Sequence, residues 1–395
     1  MTPTLILVIN CGSSSLKFAL YTTQLNLLAE GLAESLNSSQ AKLTIEKYSN
    51  HTKETFATKD HQNAIKIIIA ELQKHFDLDD KLIGIGHRIV HGGDKFKQSA
   101  LIDQHVKAEI EHCIPLAPLH NPANLLGINI LNAQYPNLSQ VAVFDTSFHQ
   151  TMPTHAFTYA IPYRFYEQES VRRYGFHGTS HRFVSHQAAK LLNKDFNETN
   201  LVVAHLGNGA SVASISHGKS VDTSMGLTPL EGLVMGTRSG DIDPGLYDYL
   251  ISRNLSPVDI SHMLNKESGL LGISGVSNDM RTLCEHASQG HKRSKLAIDI
   301  FCFRLAKYIA AMMVSLQSLD ALIFTGGIGE NSALVRAKTI RHLSIFGFSI
   351  DEELNDSNCH NKTIHTSGSR PIIVIPTDEE VMIVQDTLEL IPGTF

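Results

Sequence analysis

Short apolar runs alternate with amphipathic stretches along the chain, and that alternation predicts an α/β protein. Leu5–Asn10 and Leu16–Tyr21 read as two strands joined by the small-residue turn Cys11-Gly12-Ser13-Ser14-Ser15. Leu28–Leu32 and Leu43–Tyr48 extend the same sheet. Across His61–Phe76, Ala64, Ile67, Ile68 and Leu72 recur at helical spacing. Ile83–Val90 reads as a strand running into the turn His91–Asp94. Asn121-Pro122 predicts an N-cap and a first-turn proline for a helix reaching about Ala133. Val141–Phe144 is a short buried strand that ends at Asp145.

The second half repeats the style. Leu201–Leu206 and Ser211–Ser216 are strands around the turn Gly207-Asn208-Gly209. Ser294–Leu316 reads as a long buried helix, and Leu322–Thr325 as a strand entering Gly326-Gly327-Ile328-Gly329. Ile372–Ile375 is a last strand and Asp378–Leu390 a last helix. The pattern predicts two similar lobes around a cleft, with a boundary near His149–Pro153.

Composition narrows the function classes. At 395 residues, 42% hydrophobic and 18% charged, the chain can bury a large core, which excludes disorder. The net charge of −6 carries no basic block, which argues against nucleic acid as a partner. Five cysteines without a C-x-x-C pair fit a reducing cytoplasm rather than a disulfide scaffold or a zinc ribbon. The N-terminus lacks a basic region ahead of its short apolar run, and no apolar stretch approaches about 18 residues, so neither a signal peptide nor a membrane span is expected.

Three glycine turns each follow an apolar strand: Asn10–Lys17, His205–Ser211 and Thr325–Asn331. Glycine lets backbone amides close on an anion, and successive N–H groups make a concave phosphate site. None matches a common nucleotide fingerprint, and each alone reads as an ordinary tight turn; three together point to phosphate. Gly86–Gly93, Leu116–Pro122, Tyr174–His181 and Met235–Pro244 add Arg88, His120, His177 and Arg238 in loop contexts. A guanidinium fork suits a phosphoryl group or carboxylate, whereas each histidine alone reads first as a satisfied structural residue. His87/His91 and His177/His181 lack the glutamate of a zinc-protease helix. Asp145 reads as a base, a ligand of magnesium-bound water or a cap. Thr377 and Glu380 have capping-box spacing, which leaves Glu379 to face a metal.

Taken in order, Asn10–Lys17, Gly86–Gly93, Phe144–Pro153, His205–Ser211, Met235–Pro244 and Thr325–Asn331 resemble the acetate kinase family of short-chain acyl kinases over nearly the whole chain. The resemblance implies two actin-like ATPase (ribonuclease-H-like) lobes, 1–148 plus 381–395 and 149–380, with the active site in the cleft between them. It implies reversible transfer of phosphate from ATP to acetate, with Mg2+ or Mn2+, in a cytoplasmic homodimer. Asn10 and Glu379 match metal-binding positions, and Lys17 an ATP contact. His205, Leu206, Gly207, Asn208 and Gly209 match the phosphate loop. Asp279, Met280 and Arg281 match a nucleotide segment, and Gly327, Ile328, Gly329, Glu330 and Asn331 the adenosine-side loop. Arg88 matches the acyl-substrate arginine, Asp145 the active-site acid, and His177 with Arg238 the transition-state stabilisers. Val90, Leu119, His120, Phe176 and Pro229 match the acyl pocket. Cys11 stands where alanine is usual, which puts thiol sensitivity in question.

A carboxylate acceptor is already ionised at neutral pH. Asp145 is therefore expected to position Mg2+ or its waters rather than to act as a base. Propionate kinases share these motifs and tend to carry a smaller residue at the position of Val90, so Val90 favours acetate. One methylene discriminates by only about 1–3 kcal/mol. A non-enzymatic nucleotide-binding module would lack Arg88, Asp145, His177 and Arg238. A sugar kinase would need a base and polar sugar contacts where Val90, Phe176 and Pro229 stand.

Overall fold

The computed structural model describes residues 4–47, 52–357 and 361–392. The chain divides into two units, Met1–Phe148 with Asp378–Phe395, and His149–Thr377. Residues 378–380, given to the second lobe on sequence, lie in the first. They open the final helix, Glu379–Leu390, which packs on the first unit's sheet.

The first unit's strands are β1 (Leu5–Cys11), β2 (Leu16–Thr22), β3 (Leu27–Glu34), β4 (Lys42–Lys47), β5 (Thr52–Ala57), β6 (Leu82–Ile89), β7 (Ala100–Leu101) and β8 (Ser139–Phe144). They lie in the order β5-β4-β3-β2-β1-β6-β8-β7, with β1, β6 and β8 parallel and the rest antiparallel. The unbroken apolar run of β1 reflects burial on both faces. Leu5, Leu7 and Ile9 share a core with Ala64, Ile65, Ile68 and Leu72 of the helix His61–Gln73. Ile6 and Val8 share another with Val141, Val143, Ile383 and Val384. The final helix comes close because Gly84 and Gly86 of β6 put no side chain beneath it: a Cβ on Gly86 would stand 2.4 Å from Ile383, and one on Gly84 2.6 Å from Ile391.

The second unit's strands are β9 (Asn200–Leu206), β10 (Ala210–Ser216), β11 (Lys219–Thr223), β12 (Ala321–Thr325), β13 (Lys362–Thr363) and β14 (Ile372–Val374). Their order, β11-β10-β9-β12-β14-β13, repeats the plan of an antiparallel meander whose first strand is followed by two parallel neighbours. Both units therefore carry the same ribonuclease-H-like sheet.

The apolar strands of the sequence reading are present, with Tyr48 outside the described residues. Several elements went unread. β5 is mostly exposed and has no apolar alternation. The helix Gly178–Leu191 starts inside a stretch that reads as a loop, Met280–Ser288 carries no helix reading, and Gly326–Gly329 is the first turn of the short helix Gly326–Asn331. Asn121 does not cap its helix, Asn121–Gln134. The cap position is His120, whose side chain makes no cap bond. The buried Asn121 amide instead donates to the carbonyls of His91 and Ile110 and accepts from the His91 N–H.

Candidate active site

In the first unit, period-two geometry brings the polar groups together. On the face towards the final helix, Ile6, Val8 and Asn10 alternate along β1, Gly84, Gly86 and Arg88 along β6, and Val141, Val143 and Asp145 along and just past β8. Each series is apolar or glycine until its C-terminal end, where a polar residue emerges. Binding groups gather at such strand ends in open α/β sheets. Lys17 pairs with Asn10 in the register of β1 and β2. Glu379 and Glu380 arrive on the first turn of the final helix.

Arg88 grips Asp145 with two arms: Nε lies 3.1 and 3.2 Å from the two carboxylate oxygens, and Nη2 donates to Oδ2 at 2.6 Å. Its Nε also stands 3.6 Å from Glu379. Burial alone would lower the Arg88 pKa, but Asp145 and Glu379 more than offset it and raise it. The predicted capping box does not form. Asp378 caps the helix through the Val381 N–H, and Glu380 pairs with Lys17 at 2.5 Å. Asn10, Lys17, Arg88, Glu379 and Glu380 line one small cleft.

Three carboxylates there face two cations, leaving negative charge uncompensated. Burial, reinforced by Asp145 and Glu380 and opposed by Arg88, pushes Glu379 up to about 7. The hard oxygens of Asn10 and Glu379 are the donors there that could hold a divalent cation such as Mg2+. No group of three or more His, Cys, Asp or Glu is arranged to hold a metal among the described residues.

Val90 is buried just past β6; its N–H donates to Asn124 Oδ1, while the Asn124 amide donates to the Cys11 carbonyl at 2.7 Å. Asn124 thus stitches together the ends of β1 and β6, and Asn121 ties the segment after β6 to the carbonyl of Ile110. Leu119 is exposed, and His120 is half-buried at its helix cap. Cys11 is buried and its thiol is pushed up to about 12, so the expected sensitivity has no chemical basis.

In the second unit, the turn between β9 and β10 is closed by the Gly207 N–H donating to the Gly209 carbonyl. Gly236 N–H holds the Asn208 carbonyl, and the Asn278 amide donates to Asn208 Oδ1. His177 sits at the cap of Gly178–Leu191 with φ 58°, a left-handed conformation. Its Nδ1 is 2.9 Å from Ser211 Oγ. A Cβ built on Gly209 would lie 3.2 Å from His177 Nε2 and 3.5 Å from Arg238 Nη2, so both groups converge on this glycine. Arg238 Nη1 is anchored on the Pro229 carbonyl at 2.7 Å. Phe176, one residue before His177, is buried. The His205 ring lies against that of His177, with centroids 4.3 Å apart and the planes tilted by 31°.

A cavity of about 560 Å³ opens beside this turn, lined by Gly207, Asn208, Asp279, Met280, Arg281, Gly327, Ile328 and Asn331 of the predicted set. Asn278, Cys284, Ser332, Ala333 and Leu334 also line it and were missed, for want of any glycine or charge pattern. Leu206 and Gly329 are buried beneath. Glu330 is a buckle: its Oε1 accepts the N–H groups of Gly326 and Thr377.

Twin sheets with strand-end glycine turns, a nucleotide-sized cavity and a guanidinium–carboxylate cluster define a phosphotransferase. The model of the Acetokinase family matches residues 5–385. The acetate kinase of Chromobacterium violaceum is 53% identical over 98% of both chains, and acetate kinase 1 of Neisseria meningitidis serogroup A is 51% identical over 99% of both. Among solved structures, a propionate kinase from Francisella tularensis has a TM-score of 0.94 at 46% identity, covering 98% of this chain and 100% of its own. The Porphyromonas gingivalis acetate kinase has a TM-score of 0.92 at 42% identity, covering 98% and 99%. The chain belongs to the acetokinase family: it is a phosphotransferase whose acceptor is a carboxyl group, built on the actin-like ATPase fold.

Proposed function

We propose that this chain moves the γ-phosphoryl group of ATP reversibly to acetate, giving acetyl phosphate and ADP by direct in-line transfer. The observation that carries this reading is the convergence of His177 Nε2 and Arg238 Nη2 over Gly209. A transferring phosphoryl group spreads charge over three oxygens, and catalysis is then mostly fixed donors aimed where that charge develops. Backbone amides of Asn208 and Gly209 hold the phosphates, with His205, Leu206 and Gly207 shaping the turn. Asp279, Met280, Arg281 and the segment Gly327–Asn331 hold the nucleoside. Asn10 and Glu379 hold Mg2+, and Lys17 adds charge beside them. When bound, Mg2+ neutralises phosphate oxygens and orients the nucleotide.

Arg88 receives the acetate carboxylate and Asp145 holds the guanidinium in place. Val90, Leu119, Phe176 and Pro229 enclose the methyl group, and His120 donates to an acceptor oxygen. No base is required, because the acceptor is already an anion. The reading includes the cytoplasmic homodimer that the family implies. No helix among the described residues is long and apolar enough to cross a membrane.

Trapping the acyl phosphate with hydroxylamine tests it. Hydroxamate formed from ATP and acetate, and abolished by EDTA, is the expected result; none from either short acid would overturn it. Propionate is the second reading, favoured by the name of the Francisella structure. A higher kcat/KM for propionate than for acetate would select it.

A further inference from the structure

Behind His177 lies a buried relay that the phosphoryl-transfer reading does not use. Ser211, on β10, stands directly opposite His205 of β9. Its Oγ touches two imidazoles, His177 Nδ1 at 2.9 Å and His181 Nε2 at 2.8 Å. His177 and His181 are one helical turn apart at the start of Gly178–Leu191, so both reach the same hydroxyl. Ser211 and His181 are fully buried, and His181 Nδ1 has no hydrogen-bond partner. Burial, with His149 and His205 adding to it, holds His181 well below the ordinary histidine range, and the ring is neutral.

These contacts restrict where the protons sit. Ser211 has one hydroxyl proton to donate, and a neutral imidazole has one N–H. If His177 Nδ1 carried a proton, it would donate to Ser211. The serine proton would then go to His181 Nε2, leaving an orphaned N–H on His181 Nδ1, or would itself find no acceptor. With the opposite polarity His181 Nε2–H donates to Ser211, and Ser211 donates to a bare His177 Nδ1. Only a bare ring nitrogen is then unpartnered, and buried orphan donors are the rarer defect.

We propose that Ser211 and His181 are positioning residues that hold His177 as the Nε2–H tautomer. The proton then sits on the nitrogen facing Gly209 and Arg238. This inference rests on the proposed role of His177 as a hydrogen-bond donor to the transferring group. The relay also explains why a non-glycine residue is kept at φ 58°: that backbone turns the ring so Nδ1 meets Ser211 while Nε2 faces the phosphate turn. His149 steadies the same segment, with its Nε2 3.0 Å from the Phe176 carbonyl and its Nδ1 2.7 Å from Ser220 Oγ.

Long-range 1H–15N spectra of 15N-histidine-labelled wild-type enzyme read the tautomer directly. The expected result is a protonated Nε2 and a bare Nδ1 on His177, assigned by loss of the signal in His177→Ala. An Nδ1–H tautomer overturns the proposal. In steady-state assays, Ser211→Ala should lower kcat about fivefold to tenfold, the equilibrium worth of one hydrogen bond, with KM for ATP and acetate unchanged. Ser211→Thr, which keeps the hydroxyl, should restore most of the loss. Wild-type kcat in Ser211→Ala, with His177→Ala strongly impaired, also overturns the relay. If His177→Ala keeps full kcat, the phosphoryl-transfer role of His177 fails instead, and the spectra still decide the tautomer.

Discussion

Asp145→Asn is the sharpest perturbation of the first half-site. Asp145 is 1% exposed, and both its oxygens accept from Arg88, whose side chain is 21% exposed. The amide keeps one acceptor and turns an N–H towards guanidinium donors, so the fork loses one arm and the charge. Breaking a buried ion pair costs about 3–5 kcal/mol when the remaining charge is uncompensated. Here Arg88 is partly solvated and Glu379 stands 3.6 Å away, so the expected loss is smaller, about 2–3 kcal/mol. Urea unfolding should show a lower midpoint at unchanged slope. KM for acetate should rise, because Arg88 swings towards Glu379. A cycle with Arg88→Met isolates the pair. A coupling energy near zero, or a destabilisation under about 0.5 kcal/mol, would refute the reasoning.

Gly175 lies at φ 77°, and a Cβ there would stand 2.3 Å from Thr223 Cγ2 and 2.8 Å from His149 Cδ2. Gly175→Ala should cost about 2–4 kcal/mol in urea unfolding, from backbone strain plus overpacking. His87, buried against Gln140 at 2.6 Å, has its pKa lowered by burial from 6.5 to about 4. The folded state therefore binds fewer protons, and stability present above pH 6.5 falls as pH drops towards 4, by about 3 kcal/mol in all. His87→Gln should flatten that slope in unfolding curves taken across the window; an unchanged slope contradicts the assignment. Val90→Ala should raise the propionate-to-acetate ratio of kcat/KM about tenfold, and an unchanged ratio would remove Val90 from the acyl pocket.

The sequence by itself determined the elements whose pattern is local. The apolar run 5–9 reads as a strand, and the glycine turns after it and after Leu206 and Thr325 read as strand ends. The family resemblance added the identities of the site residues. Tertiary structure decided which groups share a charge or a proton, because those contacts join residues far apart in the chain. Arg88 meets Asp145 only because β6 and β8 run parallel in one register. Glu380 serves Lys17 rather than a helix cap because two glycines of β6 let the final helix settle against the sheet. Ser211 holds two histidines because the helix begins one residue after His177, within a stretch whose glycine and polar pattern reads as a loop. Periodicity and turn chemistry are short-range and visible along the chain, whereas desolvation, ion pairing and hydrogen-bond polarity depend on what folding packs against each group.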